Sequence, residues 1–179
     1  MKNLWSLEAN IINKLYVSNQ ISLKEIIDSY EQRFYEVNPK INAIPQETFQ
    51  YARKRIEIIN YKRKQGIKLG PLAGVPVTIK INTDQTGFAT TNGLVTQKNL
   101  IAKKNSTVVD NIEKADGIII GRTNTPAFSM RWFTNNQIHG HTLNPHNKKI
   151  TPGGSSGGAA AAAASGLGAI AHGTDIAGS

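Results

Sequence analysis

Thr151-Pro-Gly-Gly-Ser-Ser-Gly-Gly158 is followed by six alanines, Ala159 to Ala164, and then by Gly173-Thr-Asp-Ile-Ala-Gly-Ser179, the last seven residues of the chain. Two clusters of small residues thus flank a segment able to form a helix. Each cluster presents a serine where backbone N–H groups, unscreened by side chains, can reach a bound oxygen. A glycine cluster that opens a helix can cradle phosphate. Here, however, the Gly-Lys-Ser/Thr ending of a P-loop is missing, and no Gly-x-Gly-x-x-Gly follows a strand. In the competing reading the glycines let amides approach a reacting carbonyl oxygen while a nearby hydroxyl attacks its carbon. The local fold follows from the same residues: a helix over 156–167 entered through glycines, then a strand over Ala169-Ile-Ala-His172.

Working outward, helices alternate with short buried strands. Leu7, Ile11, Ile12 and Leu15 form an amphipathic helical stripe. Ser22-Leu-Lys-Glu25 is a capping box that opens a second helix carrying Leu23, Ile26, Ile27, Tyr30 and Phe34. Asn38-Pro39 is expected to close it, because a residue before proline disfavours helical torsions. A third helix is predicted from about Gln46 to Lys64, stopping near Gly66. Val75-Pro-Val-Thr-Ile-Lys-Ile81 reads as a buried strand, with Pro76 at its start or marking an edge. Ser106 caps a helix that ends at Asp116-Gly117, and Gly117-Ile-Ile-Ile-Gly121 is a buried strand. Residues 122–150 are rich in Asn, Thr, His, Gly and Pro, too long for a plain connector, and read as a functional loop region. The alternation predicts an α/β/α layer architecture.

Composition narrows the chemistry. The 179 residues include no cysteine, which removes disulfides, thiolate nucleophiles and thiolate metal sites. No apolar stretch reaches membrane-spanning length, the N-terminus lacks a signal peptide's apolar stretch, and a cytoplasmic location is expected. The formal charge of +9 is spread through the first 150 positions without the basic–aromatic interleaving that stacks bases, so solvated helix faces are preferred to a nucleic-acid groove.

A serine nucleophile needs a base. Of the four histidines, His139, His141 and His146 sit in the loop region as polar or substrate-contacting residues, and His172 reads as a hydrogen-bonded core residue. No Gly-x-Ser-x-Gly elbow supports a Ser–His–Asp triad. His139-x-His141 lacks the further partners a metal needs. Lys80 is the other candidate, set among apolar residues of a buried strand. Two readings stand on the pattern alone: a desolvated, neutral lysine acting as base, or an edge-strand lysine pointing to water.

Gly74-Val-Pro-Val-Thr-Ile-Lys80, Gly121-Arg-Thr-Asn-Thr-Pro-Ala-Phe128, Gly140-His-Thr-Leu-Asn-Pro145, Pro152-Gly-Gly-Ser-Ser-Gly-Gly158 and Gly173-Thr-Asp-Ile-Ala-Gly-Ser179 together resemble the amidase signature family, in its motif order and spacing. The resemblance implies a three-layer α/β/α fold with a mixed central sheet, incomplete in this chain. Residues 1–66 would be its N-terminal helical part and 67–179 the first portion of the catalytic core. It implies a Ser–cis-Ser–Lys triad of Ser179 as nucleophile, Ser155 as the bridging serine with a cis peptide bond, and Lys80 as base. The backbone N–H groups of Ile176, Ala177, Gly178 and Ser179 would form the oxyanion hole.

The sequence departs from the family at Ile81, where an aspartate is common, and at Ala177, where a glycine is usual. The implied activity is hydrolysis of a small or aryl-substituted carboxamide through an acyl-enzyme, with no cofactor, no metal and no membrane partner. Alternatives are the glutamine-hydrolysing A subunit of a tRNA-dependent amidotransferase, or a non-catalytic remnant of a disrupted gene. The 179-residue chain is expected to be inactive alone, and to associate with a second copy or with a separately encoded C-terminal part. The residues that read the substrate are not identified from the sequence.

Overall fold

A computed structural model describes residues 3–176 of the chain. Ala177, Gly178 and Ser179, to which the sequence assigns the nucleophile and most of the oxyanion hole, lie outside the described residues.

The first helices form where the apolar stripes and caps predict. Helix α1 (Ala9–Val17) buries Ile12 and Tyr16, one turn apart, whereas Ile11 is left partly in solvent. Helix α2 (Leu23–Ile41) opens on the capping box, with Ser22 Oγ accepting from Glu25 N and the Glu25 carboxylate accepting from Ser22 N at 2.8 Å. It does not close at Asn38-Pro39. Pro39 lies inside the last turn, where its missing N–H costs a single bond. The Asn38 side chain holds the turn together: its amide nitrogen donates to Ile44 O at 2.9 Å and its oxygen accepts from Ile44 N at 2.8 Å. The helix ends at Asn42, which takes a left-handed conformation (φ 51°).

Helix α3 (Phe49–Lys64) starts later than the sequence suggests. Gln46–Glu47 forms strand β1 instead, paired antiparallel with Arg122 and Gly121 of β3 (Ile118–Thr123). Strand β2 (Pro76–Lys80) is buried throughout and lies between β3 and β6 (Ile170–Ala171), parallel to both. Pro76 therefore marks a strand start and not an edge. The resulting mixed sheet has the order β1-β3-β2-β6. A second, two-stranded ladder joins β4 (Asn135–Asn136) to β5 (Gly140–His141) within the long loop region.

Helices cover both faces of the main sheet. Helix α4 (Thr107–Lys114), capped by Ser106 Oγ, packs Val109 against Ile79 and Ile119. On the other side, α1–α3 gather Ile12, Tyr16, Ile26, Ile27, Tyr30 and Phe49 around Ile118 and Ile120. Helix α5 (Gly157–Ala164) packs Ala161 and Ala162 against Ile41, Ala43 and Ile44. The α/β class, the mixed sheet and the layering agree with the expected architecture. Among the described residues no helix is long and apolar enough to cross a membrane.

Candidate active site

The site forms where the C-terminal end of β2 meets the N-terminus of α5. Alternation along β2 puts Val77 and Ile79 toward one face and Thr78 and Lys80 toward the other, because successive strand side chains point oppositely. Ile79 packs against Val109 of α4, so Lys80 is directed to the α5 side. The small residues of α5 make the close approach possible. A Cβ on Gly158 would stand 2.4 Å from Asn124 N, and one on Gly154 would stand 2.6 Å from Arg131 O. A side chain at Gly158 would push the start of α5 off Asn124, just past β3, and one at Gly154 would push the serine loop off the backbone of residues 131–133.

Lys80 is fully buried, with 0% of its surface exposed, which overturns the reading of an edge lysine pointing to water. Its Nζ lies 2.7 Å from Ser155 Oγ, 2.7 Å from Thr174 Oγ1 and 3.2 Å from Ser156 Oγ. Burial pushes the amine down to about 8. Against the ordinary value of 10.5, that raises the neutral fraction near pH 7 by about 300-fold. Among the described residues no carboxylate forms an ion pair with Lys80. A carboxylate there would hold the charged form and defeat a role as base.

Ser155 is buried, and the peptide bond Gly154–Ser155 is cis, as the resemblance implies. A directional chain of hydrogen bonds holds its carbonyl. Thr125 Oγ1 donates to Ser155 O at 3.2 Å. Having spent its proton there, Thr125 accepts from Ser129 Oγ at 3.0 Å, and Ser129 Oγ accepts from Asn82 Nδ2 at 3.1 Å. Phe128 and Ser129 are successive non-glycine residues in the left-handed region (φ 54° and 56°). Such torsions are strained and cluster at functional sites. A small cavity of about 140 Å³ opens beside Ser155, lined by Ser129, Met130, Arg131, Trp132, Ser155 and Ile176. Trp132 is 82% exposed, and Met130 and Ile176 are also exposed, so the apolar rim faces solvent.

Of the residues named from the sequence, Lys80 and Ser155 are brought together, and Ile176 lies at the cavity. Ser179, Ala177 and Gly178 lie outside the described residues. Among the described residues no histidine side chain is hydrogen-bonded to Lys80 or Ser155. His139 Nε2 shares a proton with Thr91 Oγ1 at 2.8 Å, and its imidazole is held below the ordinary value by burial and by Arg122. His141 belongs to β5 and is exposed. Among the described residues no cluster of three or more His, Cys, Asp or Glu side chains could hold a metal. His172 differs from expectation: its backbone N–H donates to Thr78 O at 2.8 Å, but its buried Nδ1 has no hydrogen-bond partner. Burial, and then Lys80, hold its imidazole below the ordinary value.

Sequence reasoning missed the parts of Ser156, Thr174, Thr125, Ser129 and Asn82. Ser156 and Thr174 stand inside quoted motifs, and adjacency to Ser155 was the one available signal. Thr125 and Ser129 are only four residues apart, but the bonds that tie them to the site, from Asn82 and to Ser155, span 47 and 30 residues and leave no local trace.

A buried amine thus stands bonded to a serine hydroxyl in a glycine-rich loop between a mixed sheet and a helix. Residues 25–179 match the family model described as Amidase, and the chain belongs to the amidase signature family. It is 47% identical over 162 residues to the indoleacetamide hydrolase of Bradyrhizobium diazoefficiens, an alignment covering 90% of this chain and 31% of that protein. It is 42% identical over 178 residues to an acylamidase of Rhodococcus erythropolis, covering 99% of this chain and 37% of that protein. Among solved structures, a bacterial aryl acylamidase of the amidase signature family superposes with a TM-score of 0.86 at 32% identity, covering 90% of this chain and 34% of the other. The chain thus spans about a third of the length of these relatives.

Proposed function

We propose that this chain carries the proton-transfer half of an amidase that cleaves a carboxamide C–N bond through an acyl-enzyme, with Lys80 as base, Ser155 as bridge and Ser179 as nucleophile. The observation that carries the reading is the 2.7 Å contact between a buried Lys80 amine and Ser155 Oγ. The neutral amine takes the proton of Ser155 as Ser155 takes that of Ser179. The Ser179 oxygen then adds to the carbonyl carbon, and the tetrahedral oxyanion is met by the N–H groups of Ile176, Ala177, Gly178 and Ser179. Collapse breaks the C–N bond as the proton returns from Lys80 through Ser155 to the leaving nitrogen. Water then attacks acyl-Ser179 by the same relay and releases the acid. No step calls for a metal or cofactor.

The apolar rim of Met130, Trp132 and Ile176 favours an aryl or other apolar amide over a highly polar one. The relatives named as indoleacetamide hydrolase and aryl acylamidase support that class. The test uses a protein of the relatives' length that contains this segment, assayed on indole-3-acetamide, an anilide and glutamine. Lys80→Ala is expected to lower kcat/KM by about 10³, within the range of lost general base catalysis. A fluorophosphonate should label Ser179 and lose that label in Lys80→Ala. Full turnover by Lys80→Ala, or labelling elsewhere, contradicts the relay. Glutamine preferred over both aryl amides contradicts the substrate class and favours the amidotransferase reading. The 179-residue chain by itself is expected to give neither turnover nor label, since the rim residues around its cavity lie open to water.

A further inference from the structure

Around Lys80 three hydroxyls compete for one nitrogen, and the protons can be counted. Ser156 Oγ donates to Thr174 O at 3.2 Å and accepts from Thr174 N at 3.1 Å. Its single proton is therefore committed, and toward Lys80 Nζ, 3.2 Å away, it acts as an acceptor. A neutral lysine has two N–H donors and one electron pair. One N–H is drawn to Ser156. Thr174 Oγ1 and Ser155 Oγ, each 2.7 Å from Nζ, share what remains: one N–H and the electron pair. If Ser155 Oγ takes a proton from the nucleophile, its own proton is polarised outward, because chains of hydrogen bonds reinforce one another. The electron pair then faces Ser155, and the second N–H falls to Thr174.

We propose that Ser156 and Thr174 are positioning residues that hold the two N–H groups of Lys80 and turn its electron pair onto Ser155 Oγ. The proposal rests on the relay proposed above but concerns a different pair of side chains. It links the two small-residue clusters: the residue after the bridging serine and the threonine of the Gly173 motif clasp each other through their backbone and side chains, and both clasp the amine. The other titratable groups on the segment that carries Thr174 are His172 and Asp175. Helix α5 offers none, and Lys80's partner on β3 is Thr123.

The experiment follows Lys80 itself and not turnover. The 179-residue chain is labelled with [ε-¹³C]lysine, and the resonance missing from Lys80→Ala is titrated in wild type, Ser156→Ala, Thr174→Val and Thr174→Ser. Wild type should titrate near 8. An acceptor bonded to the amine favours its charged form, so removing one lowers the midpoint. Ser156→Ala and Thr174→Val are each expected to reduce proton affinity by about 3- to 10-fold, a drop of roughly half to one pH unit. Thr174→Ser should restore the wild-type midpoint. Midpoints unchanged in both deletions, with only the unfolding temperature lowered, overturn the proposal and leave the pair a packing role. Where Thr174→Val fails to fold, Thr174→Ala removes the same acceptor without a branched replacement and is read the same way. Failure of the fluorophosphonate and hydrolysis tests with these shifts intact would sink the relay alone. Intact Lys80-dependent labelling with no shifts would sink the positioning pair alone.

Discussion

Lys80 has a pH signature in stability as well as in chemistry. Burial lowers its amine from 10.5 to about 8, so between those values the unfolded chain binds more protons than the folded one. Stability therefore rises with pH across that window. Below about 8 both states are protonated, and the full penalty of about 3 kcal/mol is present. Replacing Lys80 by methionine removes the buried charge but also its bonds to three hydroxyls. The expected outcome is a chain more stable by about 1–3 kcal/mol at pH 7, with the advantage shrinking toward pH 10. Urea unfolding of both chains at pH 7 and pH 9.5 measures it, and a gap that does not change with pH contradicts it. In a protein that turns over, the same group predicts a rate that climbs with pH up to about 8 and then levels. At this scale the sequence left Lys80 open between base and surface lysine. Its solvent exposure depends on β6 and α5, neither of which is near it in the chain.

At the scale of elements, local chemistry and tertiary context divide cleanly. The capping box at Ser22 and Glu25 was legible because all its partners lie within one turn. Ser22→Ala is expected to cost about 1 kcal/mol of stability, measurable by chemical denaturation. The start of α3 was not legible, because Gln46 and Glu47 find their partners on β3, more than seventy residues away. Pro39 was overweighted as a breaker for a related reason: Asn38 uses its side chain to bind Ile44 and keeps the last turn closed. Helix α5 poses a sharper test. Gly158 lies where any side chain would collide with the backbone of Asn124. Although alanine is the better helix former, Gly158→Ala is expected to destabilise the chain by about 1–3 kcal/mol, the ordinary cost of overpacking. A rise in unfolding temperature in this variant would show that helix propensity outweighs the close approach.

Across the whole molecule, buried charged groups tie the layers together. Asp116, left-handed at φ 61° and 1% exposed, joins Lys62 of α3 at 2.6 Å to the Gly70 N–H at 2.7 Å. Arg122 sits fully buried on β3 and donates to Thr83 O and Ala89 O, each at 2.7 Å, and to Gln46 Oε1 at 2.9 Å. Burial brings its guanidinium down to about 10, with Asp84 opposing. These bonds stitch the 81–89 segment, which leaves the site directly after Lys80, onto β3. Arg122→Met removes the donors and strands the carbonyls. A loss of about 2–4 kcal/mol is expected, with hydrogen exchange accelerating first in residues 83–90. Uniform acceleration over the whole sheet would argue that Arg122 serves general stability and not this segment.

The amino-acid sequence by itself determined the α/β class and the order of helices and buried strands, which rest on periodicity and on caps that close within a turn. The candidacy of Lys80, Ser155 and Ser179 as a triad came from the resemblance of its motifs to a known family. Only the tertiary structure decided that β2 is a central strand, that its lysine is dry, and that Ser156 and Thr174 meet the same nitrogen. Each of those facts depends on contacts between segments far apart in the chain, and burial is a property of what covers a residue and not of the residue itself.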